Sequence, residues 1–176
     1  MNHMRFIVKV SSESFIKSRS VRAWHLDQLK KNVRVVLKAI DPQVRIRSHS
    51  NRLEVDCSEE FANACQRRLS DVPGIHSILT VVSAPLPTEN TIEFLSERAI
   101  EYYAGAVSGN SFAVRCRRVG EHDFSSLEVE REVGAVLFNN SIDATVKLKK
   151  PDVTVSIEIL REKVYFVREK LLGLGG

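Results

Sequence analysis

The chain has 176 residues, 43% hydrophobic and 27% charged, which is enough for two small domains with packed cores. Its formal net charge is +4: residues 1–83 hold 14 Lys and Arg against 8 Asp and Glu, and residues 84–176 hold 12 against 14. No apolar run is long enough to span a bilayer, and the N-terminus lacks the apolar core of a secretory signal, so we expect a cytoplasmic protein with no membrane partner. The basic first half favours a polyanionic partner.

The first half of the chain alternates between strand and helix patterns. Its apolar periodicity predicts a strand, a helix, two strands, a helix and a strand, in order over residues 5–10, 19–40, 44–48, 53–56, 59–69 and 75–82. His49-Ser50-Asn51 predicts a hairpin turn, and Trp24 lies on the apolar stripe of the long helix, so we expect its ring in the core. This order is that of a ferredoxin-like βαββαβ fold, which we place at residues 1–83.

A proline-rich segment follows the first half. Residues 84–87, Ala-Pro-Leu-Pro, predict a linker because both prolines favour extended backbone. The next patterns predict a helix, a strand, a helix and three strands, in order over residues 89–107, 112–116, 125–140, 144–148, 153–159 and 164–167. Phe124 and Ser125 begin the second of these helices with a hydrophobic staple and a capping box. We assign residues 88–169 to a second, α/β domain and 170–176 to the start of another linker, so the fold class is α+β.

The sequence carries no catalytic or metal-binding pattern. Its three cysteines, Cys57, Cys65 and Cys116, show no CxxC spacing, and we interpret them as buried reduced thiols. Its five histidines form no HExxH motif, and no GxSxG, GxxxxGK[ST] or GxGxxG sequence is present. We therefore predict no catalytic residue, no metal site and no cofactor in this chain.

Basic residues cluster at the predicted start of the long helix. Lys17, Arg19 and Arg22 lie where free backbone N–H groups and the helix dipole favour anions, which predicts a phosphate-binding site. A solvated helix end explains the same residues equally well, and the sequence leaves both interpretations open.

Two further basic clusters lie at strand ends in the second half. They consist of Arg115, Arg117 and Arg118, and of Lys147, Lys149 and Lys150. Alternation places Arg115 and Arg117 on one side of their strand. If the two strands are neighbours, both clusters meet at one edge and offer several phosphate contacts to RNA. His122 and Ser126 are further candidates for RNA contact, through ring stacking and a hydroxyl hydrogen bond.

Several stretches of the second half resemble a THUMP domain. They are residues 112–118, 122–126, 130–134, 146–148 and 151–155. In the first half, residues 6–9, Lys17-Ser18 and Pro73-Gly74-Ile75 resemble the N-terminal ferredoxin-like domain that precedes THUMP in the tRNA 4-thiouridine synthetase family. The resemblance extends over nearly the whole chain.

The resemblance implies that both domains bind tRNA, with contacts at the acceptor 3′ end. In that family a PP-loop domain, for which ATP and Mg²⁺ are expected, adenylates the uridine at position eight, and sulfur from a cysteine desulfurase then replaces its oxygen. In many members a rhodanese domain carries the sulfur, and the protein also serves thiazole synthesis for thiamine. The resemblance further implies a homodimer in which the THUMP domain of one subunit presents tRNA to the active site of the other. This chain has neither the SGGxDS signature nor a rhodanese segment, so we expect it to be the amino-terminal RNA-binding part.

Two alternatives stay open. The same pair of domains fits another THUMP enzyme, such as a tRNA methyltransferase or a pseudouridine synthase, although Lys17-Ser18 favours the thiouridine enzyme. The pair also fits a stand-alone THUMP adaptor that hands tRNA to a separate enzyme.

Overall fold

The computed structural model describes residues 2–11, 18–49 and 51–175. The chain folds as two compact units. The first consists of the chain up to Val81 together with the segment from Arg168 onward, and the second runs from Val82 to Val167. Among the described helices, none has the length and apolar character that crossing a membrane requires.

The first unit has the predicted order of elements. They are β1 (His3–Val10), α1 (Arg19–Lys38), β2 (Arg45–His49), β3 (Arg52–Ser58), α2 (Ala62–Ser70) and β4 (Ile75–Pro85), with a 3-10 turn before α2. Strand β1 lies between β3 and β4 and is antiparallel to both, and β2 pairs with the other side of β3. β2 and β3 form the predicted hairpin, with His49 opposite Arg52. Ser50 of its turn lies outside the described residues.

Helix α1 begins after Ser18, whose hydroxyl accepts the N–H of Val21 at 3.4 Å. Its buried side chains recur every three or four residues and pack into the first core; they are Leu26, Leu29, Val33 and Leu37. Trp24 lies on the other side of the helix, because two residues correspond to more than half a turn, and it is 59% exposed. The prediction that its ring is in the core is therefore wrong: the apolar stripe passes through Leu26 instead.

Two cysteines and the carboxylate of Asp41 are among the buried groups of the first unit. Cys57 of β3 and Cys65 of α2 lie in the core as free thiols, as predicted. A hydrogen bond with Cys65, together with burial, raises the pKa of the Cys57 thiol. Asp41 joins the loop after α1 to the end of β3, since its carboxylate accepts the N–H of Ser58 at 2.8 Å and that of Gln43 at 2.9 Å.

The second unit is a mixed sheet with two helices. Its further elements are α3 (Thr91–Val107), β5 (Ser111–Val119), α4 (Ser126–Asn139), β6 (Thr145–Val146), β7 (Val153–Leu160) and β8 (Lys163–Leu172). Strand β5 lies between β6 and β7 and is parallel to both, and β8 is antiparallel to β7. Alternate residues of the strands, such as Phe112 and Ile157, form one core with the buried faces of both helices.

Helix α4 starts as predicted. The Ser125 hydroxyl accepts the N–H of Glu128 at 3.1 Å, which satisfies one of the free N–H groups of the first turn. Phe124 is half-buried and packs against the second core. Phe124 and Ser125, which lie between the candidates His122 and Ser126, therefore hold the helix start in place.

Several segments differ from their predicted bounds. Ala84 and Pro85, expected to begin a linker, are the last residues of β4. The segment after residue 169, expected to begin another linker, continues β8 and then returns to β4, where Gly173 donates its N–H to His76 O at 2.8 Å. Strand β6 has two residues instead of the five predicted. Proline and glycine content reports local backbone preference, and it carries no information about pairing with a strand distant in sequence.

Candidate nucleic-acid interface

The predicted meeting of β5 and β6 occurs at the first residues of β5. Ser111 and Phe112 pair with Thr145 and Val146, and the N–H of Lys147 continues the pairing to Phe112 O at 2.9 Å. Beyond that point β6 ends. The side chain of Arg115 then makes the link, since its Nη2 donates to Leu148 O at 2.7 Å. Of the three arginines, Arg115 is thus the one that reaches the lysines at this edge of the second unit, whereas Arg117 and Arg118 lie further along β5.

The lysines lie on a loop that is held at both ends. Lys147, Lys149 and Lys150 are all exposed. At the far end of the loop, Ser111 and Asp152 bond reciprocally: the N–H of Ser111 donates to the Asp152 carboxylate at 3.0 Å, and the N–H of Asp152 donates to Ser111 Oγ at 2.9 Å. These bonds lower the pKa of Asp152 below its ordinary value. The three ammonium groups are therefore carried on a fixed backbone.

The three arginines of β5 divide between the two faces of the sheet. Arg115 and Arg117 are exposed on the face opposite α3 and α4, as alternation predicts. Arg117 lies beside Glu158, its partner position on β7. Arg118 belongs to the other face and is half-buried.

Arg118 takes part in a chain of hydrogen bonds with His122. Its Nη1 donates to Gly120 O at 2.9 Å and to His122 Nδ1 at 2.9 Å. A guanidinium only donates, so Nδ1 accepts and the Nε2–H of the ring donates to Arg161 O at 2.6 Å. Gly120 has a φ of +113°, and a Cβ there would lie 3.1 Å from Arg161 Cα, so the turn requires glycine. Arg161, which follows β7, is not among the predicted site residues, because no local pattern connects it to His122.

Ser126 contacts the sheet through Cys116. Cys116 is half-buried rather than fully buried, which departs from the expectation for this thiol. Burial raises its pKa to about 11, against the opposing effect of a hydrogen bond with Ser126. The backbone N–H of Cys116 donates to Glu130 at 3.0 Å, which ties β5 to α4. The Ser126 hydroxyl therefore has a partner within the protein.

A cleft of ≈ 700 Å³ opens beside this hydrogen-bonded chain. His122, Phe124 and Arg161 line it, and the rings of His122 and Phe124 lie 5.2 Å apart. Its charged lining also includes Glu121, Asp123 and Glu162. These carboxylates repel phosphate, so the cleft suits a neutral or cationic group better than a nucleic-acid backbone.

Two of the remaining candidates line a different cleft, of ≈ 570 Å³, in the first unit. His25 and, from the loop before β4, Pro73-Gly74 line the same cleft as Arg19 and Arg22. Among the described lining residues there is no aspartate or glutamate. His25 is not among the predicted site residues, although its position three residues after Arg22 puts both on one side of a helix. Lys17 lies outside the described residues.

Two family models match the chain. A THUMP domain model matches residues 89–167, and a ThiI ferredoxin-like domain model matches residues 5–78. Residues 5–78 therefore belong to the ThiI ferredoxin-like domain family, and residues 89–167 belong to the THUMP domain family. The predicted fold, a ferredoxin-like domain followed by a THUMP domain, is confirmed. The lysine loop and the arginines of β5 lie in the THUMP domain, and the cleft beside α1 lies in the ThiI ferredoxin-like domain.

Curated relatives of the chain are named tRNA sulfurtransferases. The protein of Shewanella amazonensis is 37% identical over 176 residues, covering 98% of this chain and 36% of the relative. That of Shewanella sediminis is 39% identical over 181 residues, with the same coverage. The chain therefore spans about a third of the length of these relatives.

Solved structures agree with this fold. PH1313 from Pyrococcus horikoshii is 28% identical, with a TM-score of 0.81 over 98% of this chain and 56% of that protein. A 4-thiouridine synthetase, solved with RNA and ATP, is 17% identical with a TM-score of 0.74, over 99% of this chain and 43% of that protein. TrmN from Thermus thermophilus is 22% identical with a TM-score of 0.68 over 97% and 46%. At these identities the last two show the fold alone.

Proposed function

We propose that this chain binds tRNA near its acceptor 3′ end and contributes that binding to a tRNA sulfurtransferase that makes 4-thiouridine at position eight. The observation that carries the proposal is the lysine loop: Lys147, Lys149 and Lys150 are exposed beside Arg115 in the THUMP domain. The names of the curated relatives support tRNA as the substrate. The RNA complex of a synthetase with the same fold supports RNA as the ligand.

The geometry of the loop suits recognition of a nucleic-acid backbone. Three ammonium groups on a backbone held by Arg115 and Asp152 form a row of point charges, and lysines bind phosphates without reading base identity. Such contacts favour recognition of tRNA by shape and by its end rather than by sequence. Each phosphate that is neutralised releases counterions, so binding will depend steeply on salt concentration.

A THUMP methyltransferase is the second candidate, because a putative methyltransferase, solved with SAH, shares the fold with a TM-score of 0.54 over 95% of this chain. The sulfurtransferase is favoured by relatives 36–39% identical over nearly the whole chain. Our further proposals concern the whole protein. They are the use of ATP with Mg²⁺, a cysteine desulfurase as sulfur donor, a homodimer and a link to thiazole synthesis.

The test is binding of unmodified tRNA, and of the same tRNA without its 3′-terminal nucleotides, across a salt series. We expect binding that weakens steeply with salt and weakens further on 3′ truncation. The double variant Lys149→Glu/Lys150→Glu is expected to lower the slope of log affinity against log salt by roughly 2, about one per phosphate contact.

A matched control is Arg67→Glu/Arg68→Glu on α2, which changes the net charge equally at two exposed residues of the other domain. Equal losses in the two double variants would mean that binding follows net charge rather than the lysine loop. Binding that is independent of salt and of the 3′ end would overturn the proposal.

A further inference from the structure

Residues 171–175, here called the strap, complete the ferredoxin-like domain from a distant part of the sequence. The chain leaves the first unit at Val81 and re-enters it at Arg168, after the residues of the THUMP domain. Within the strap, Leu171 is partly buried against the first core. The family model of the ferredoxin-like domain matches residues 5–78, so the strap lies outside the matched region.

Backbone hydrogen bonds hold the strap on β4. Gly173 donates its N–H to His76 O at 2.8 Å, and Gly175 donates its N–H to Ile75 O at 2.9 Å. The two backbones approach so closely that a Cβ on Gly173 would overlap Ile75 O. Any other residue at position 173 would therefore force the strap and β4 apart, because the atom that it meets belongs to the backbone.

The strap also reaches the wall of the cleft beside α1. Pro73 and Gly74, from the loop before β4, line that cleft. The N–H of Gly74 donates to Gly175 O at 2.8 Å, and the Gly74 carbonyl accepts the N–H of Ser11 at 3.0 Å. Gly74 has a φ of +92°, a conformation that glycine adopts without strain. Two segments distant in sequence therefore hold this wall in position, and one of them is the strap.

The side chains of the strap contribute little packing. Leu172 and Leu174 are 66% and 65% exposed, and positions 173 and 175 are glycines. A segment with few buried apolar contacts opens at a smaller cost in free energy than the core of the same domain. That core contains fully buried side chains such as Val8 and Leu37. The strap is therefore a part of the domain that can open while the core stays folded.

We propose that the strap is a conformational device that positions the Pro73-Gly74 wall of the cleft beside α1. In the closed position, its bonds to β4 and to Gly74 fix the loop before β4. When the strap opens, Gly74 loses its bond to Gly175, and the wall moves relative to Arg22 and His25 on α1. A segment that follows the THUMP domain in sequence thereby controls the shape of a cleft in the ferredoxin-like domain. This holds whatever ligand the cleft takes, so the proposal stands or fails separately from the proposed function.

The test is hydrogen exchange of the backbone amides in the whole chain, followed by NMR. The N–H groups of Gly74 and Gly175 report the closed strap, because each makes a hydrogen bond that closure forms. The N–H of Ser58, which donates to the buried carboxylate of Asp41, reports the core of the same domain. We expect Gly74 and Gly175 to exchange with one common opening free energy, smaller than that of Ser58.

The variant Gly173→Val is expected to open the strap. Exchange at Gly74 and Gly175 should accelerate roughly tenfold or more, whereas exchange at Ser58 should stay within about twofold. The matched control is Leu174→Ala, which changes an exposed side chain of the strap and should leave all three rates unchanged.

The ring of His25 reports the cleft itself, because it lines the cleft together with the Pro73-Gly74 wall. We expect its NMR signals to shift in Gly173→Val and to keep their positions in Leu174→Ala. Deletion of residues 173–176 removes the hydrogen bonds of the strap without introducing a clash. It should shift the His25 signals in the same way, and it decides the question if Gly173→Val does not fold.

Three results would overturn the proposal. If Gly175 exchanges faster in Gly173→Val while Gly74 and the His25 ring are unchanged, the strap only frays and does not position the wall. If exchange at Ser58 accelerates as much as exchange at Gly74, the strap belongs to the cooperative core and does not open alone. If no signal changes, the close approach of Gly173 to β4 is not what keeps the strap closed.

Discussion

The cleft beside α1 and the cleft beside His122 are similar in size and opposite in the charge of their lining residues. The cleft beside α1, of ≈ 570 Å³, is lined by Arg19, Arg22 and His25, with no carboxylate among its described lining residues. The cleft beside His122, of ≈ 700 Å³, is lined by Arg161 together with Glu121, Asp123 and Glu162. Both would count as basic sites if only their arginines were considered. The carboxylates make the cleft beside His122 the less favourable of the two for a phosphate.

Single arginines also differ in whether groups of the protein already occupy their side chains. Arg118 donates hydrogen bonds from Nη1 to Gly120 O and to His122, both within the THUMP domain. Arg115 holds Leu148 O and so positions the lysine loop. A cation that donates to a backbone carbonyl stabilises the fold. It contributes less to ligand binding than a solvated cation does, because breaking that bond leaves the carbonyl without its donor.

The largest expected effect separates the two clefts by charge reversal. Arg22→Glu is expected to weaken binding of tRNA roughly tenfold, because it places a carboxylate in a cleft whose charged lining residues are basic. Arg161→Glu is expected to change the same affinity less than about threefold, since three carboxylates already repel phosphate there. Anisotropy at low salt measures both. Equal losses would show that RNA responds to overall charge, and the contrast between the clefts would be lost.

The next effect contrasts two neighbouring arginines of β5. Arg118→Ala removes two hydrogen bonds and is expected to lower the free energy of unfolding of the THUMP domain by about 1–2 kcal/mol. Arg117→Ala, at an exposed position, is expected to stay within about 0.5 kcal/mol. Hydrogen exchange of the β5 amides under native conditions resolves this domain from the other. If Arg117→Ala proves as costly as Arg118→Ala, the structural role given to Arg118 is wrong.

The smallest effect concerns pH and compares one carboxylate from each domain. Burial acts to raise the pKa of Asp41, but the N–H groups of Ser58 and Gln43 outweigh it, so the pKa is lowered from 3.8. Its stabilising contribution is complete above that ordinary value and is lost as pH falls through the lower folded-state value, because the unfolded state binds the proton more tightly.

The measurement is urea unfolding of the ferredoxin-like domain between about pH 6 and pH 2, followed by Trp24 emission. Asp41→Asn is expected to cost on the order of 1 kcal/mol at neutral pH and to flatten the acid limb of the stability curve. Asp152→Asn, at an exposed position of the THUMP domain, should leave this limb unchanged. An acid limb that Asp41→Asn does not alter would show that other carboxylates govern it.

Local patterns predicted most of the elements, because they depend on neighbours in sequence. The order of six elements in the first domain follows from apolar periodicity, and the start of α4 follows from Ser125, whose capping bond forms within one turn. The placement of Arg115 and Arg117 on one face of β5 follows from strand alternation. The resemblance to a THUMP domain and its ferredoxin-like partner, which the family models confirm, was also carried by stretches of local sequence.

Tertiary structure decided which of these residues meet. Arg161 meets His122, and Gly173 pairs with His76, across distances in sequence that no local pattern spans. Trp24 shows the limit most clearly: an apolar residue at a plausible helical spacing is assigned to the core by periodicity, yet the rotation of α1 on the sheet is set by Leu26, Leu29 and Val33. The sequence by itself therefore determined the elements and the family, whereas packing determined which cations face solvent, because the exposure of a side chain depends on every element that covers it.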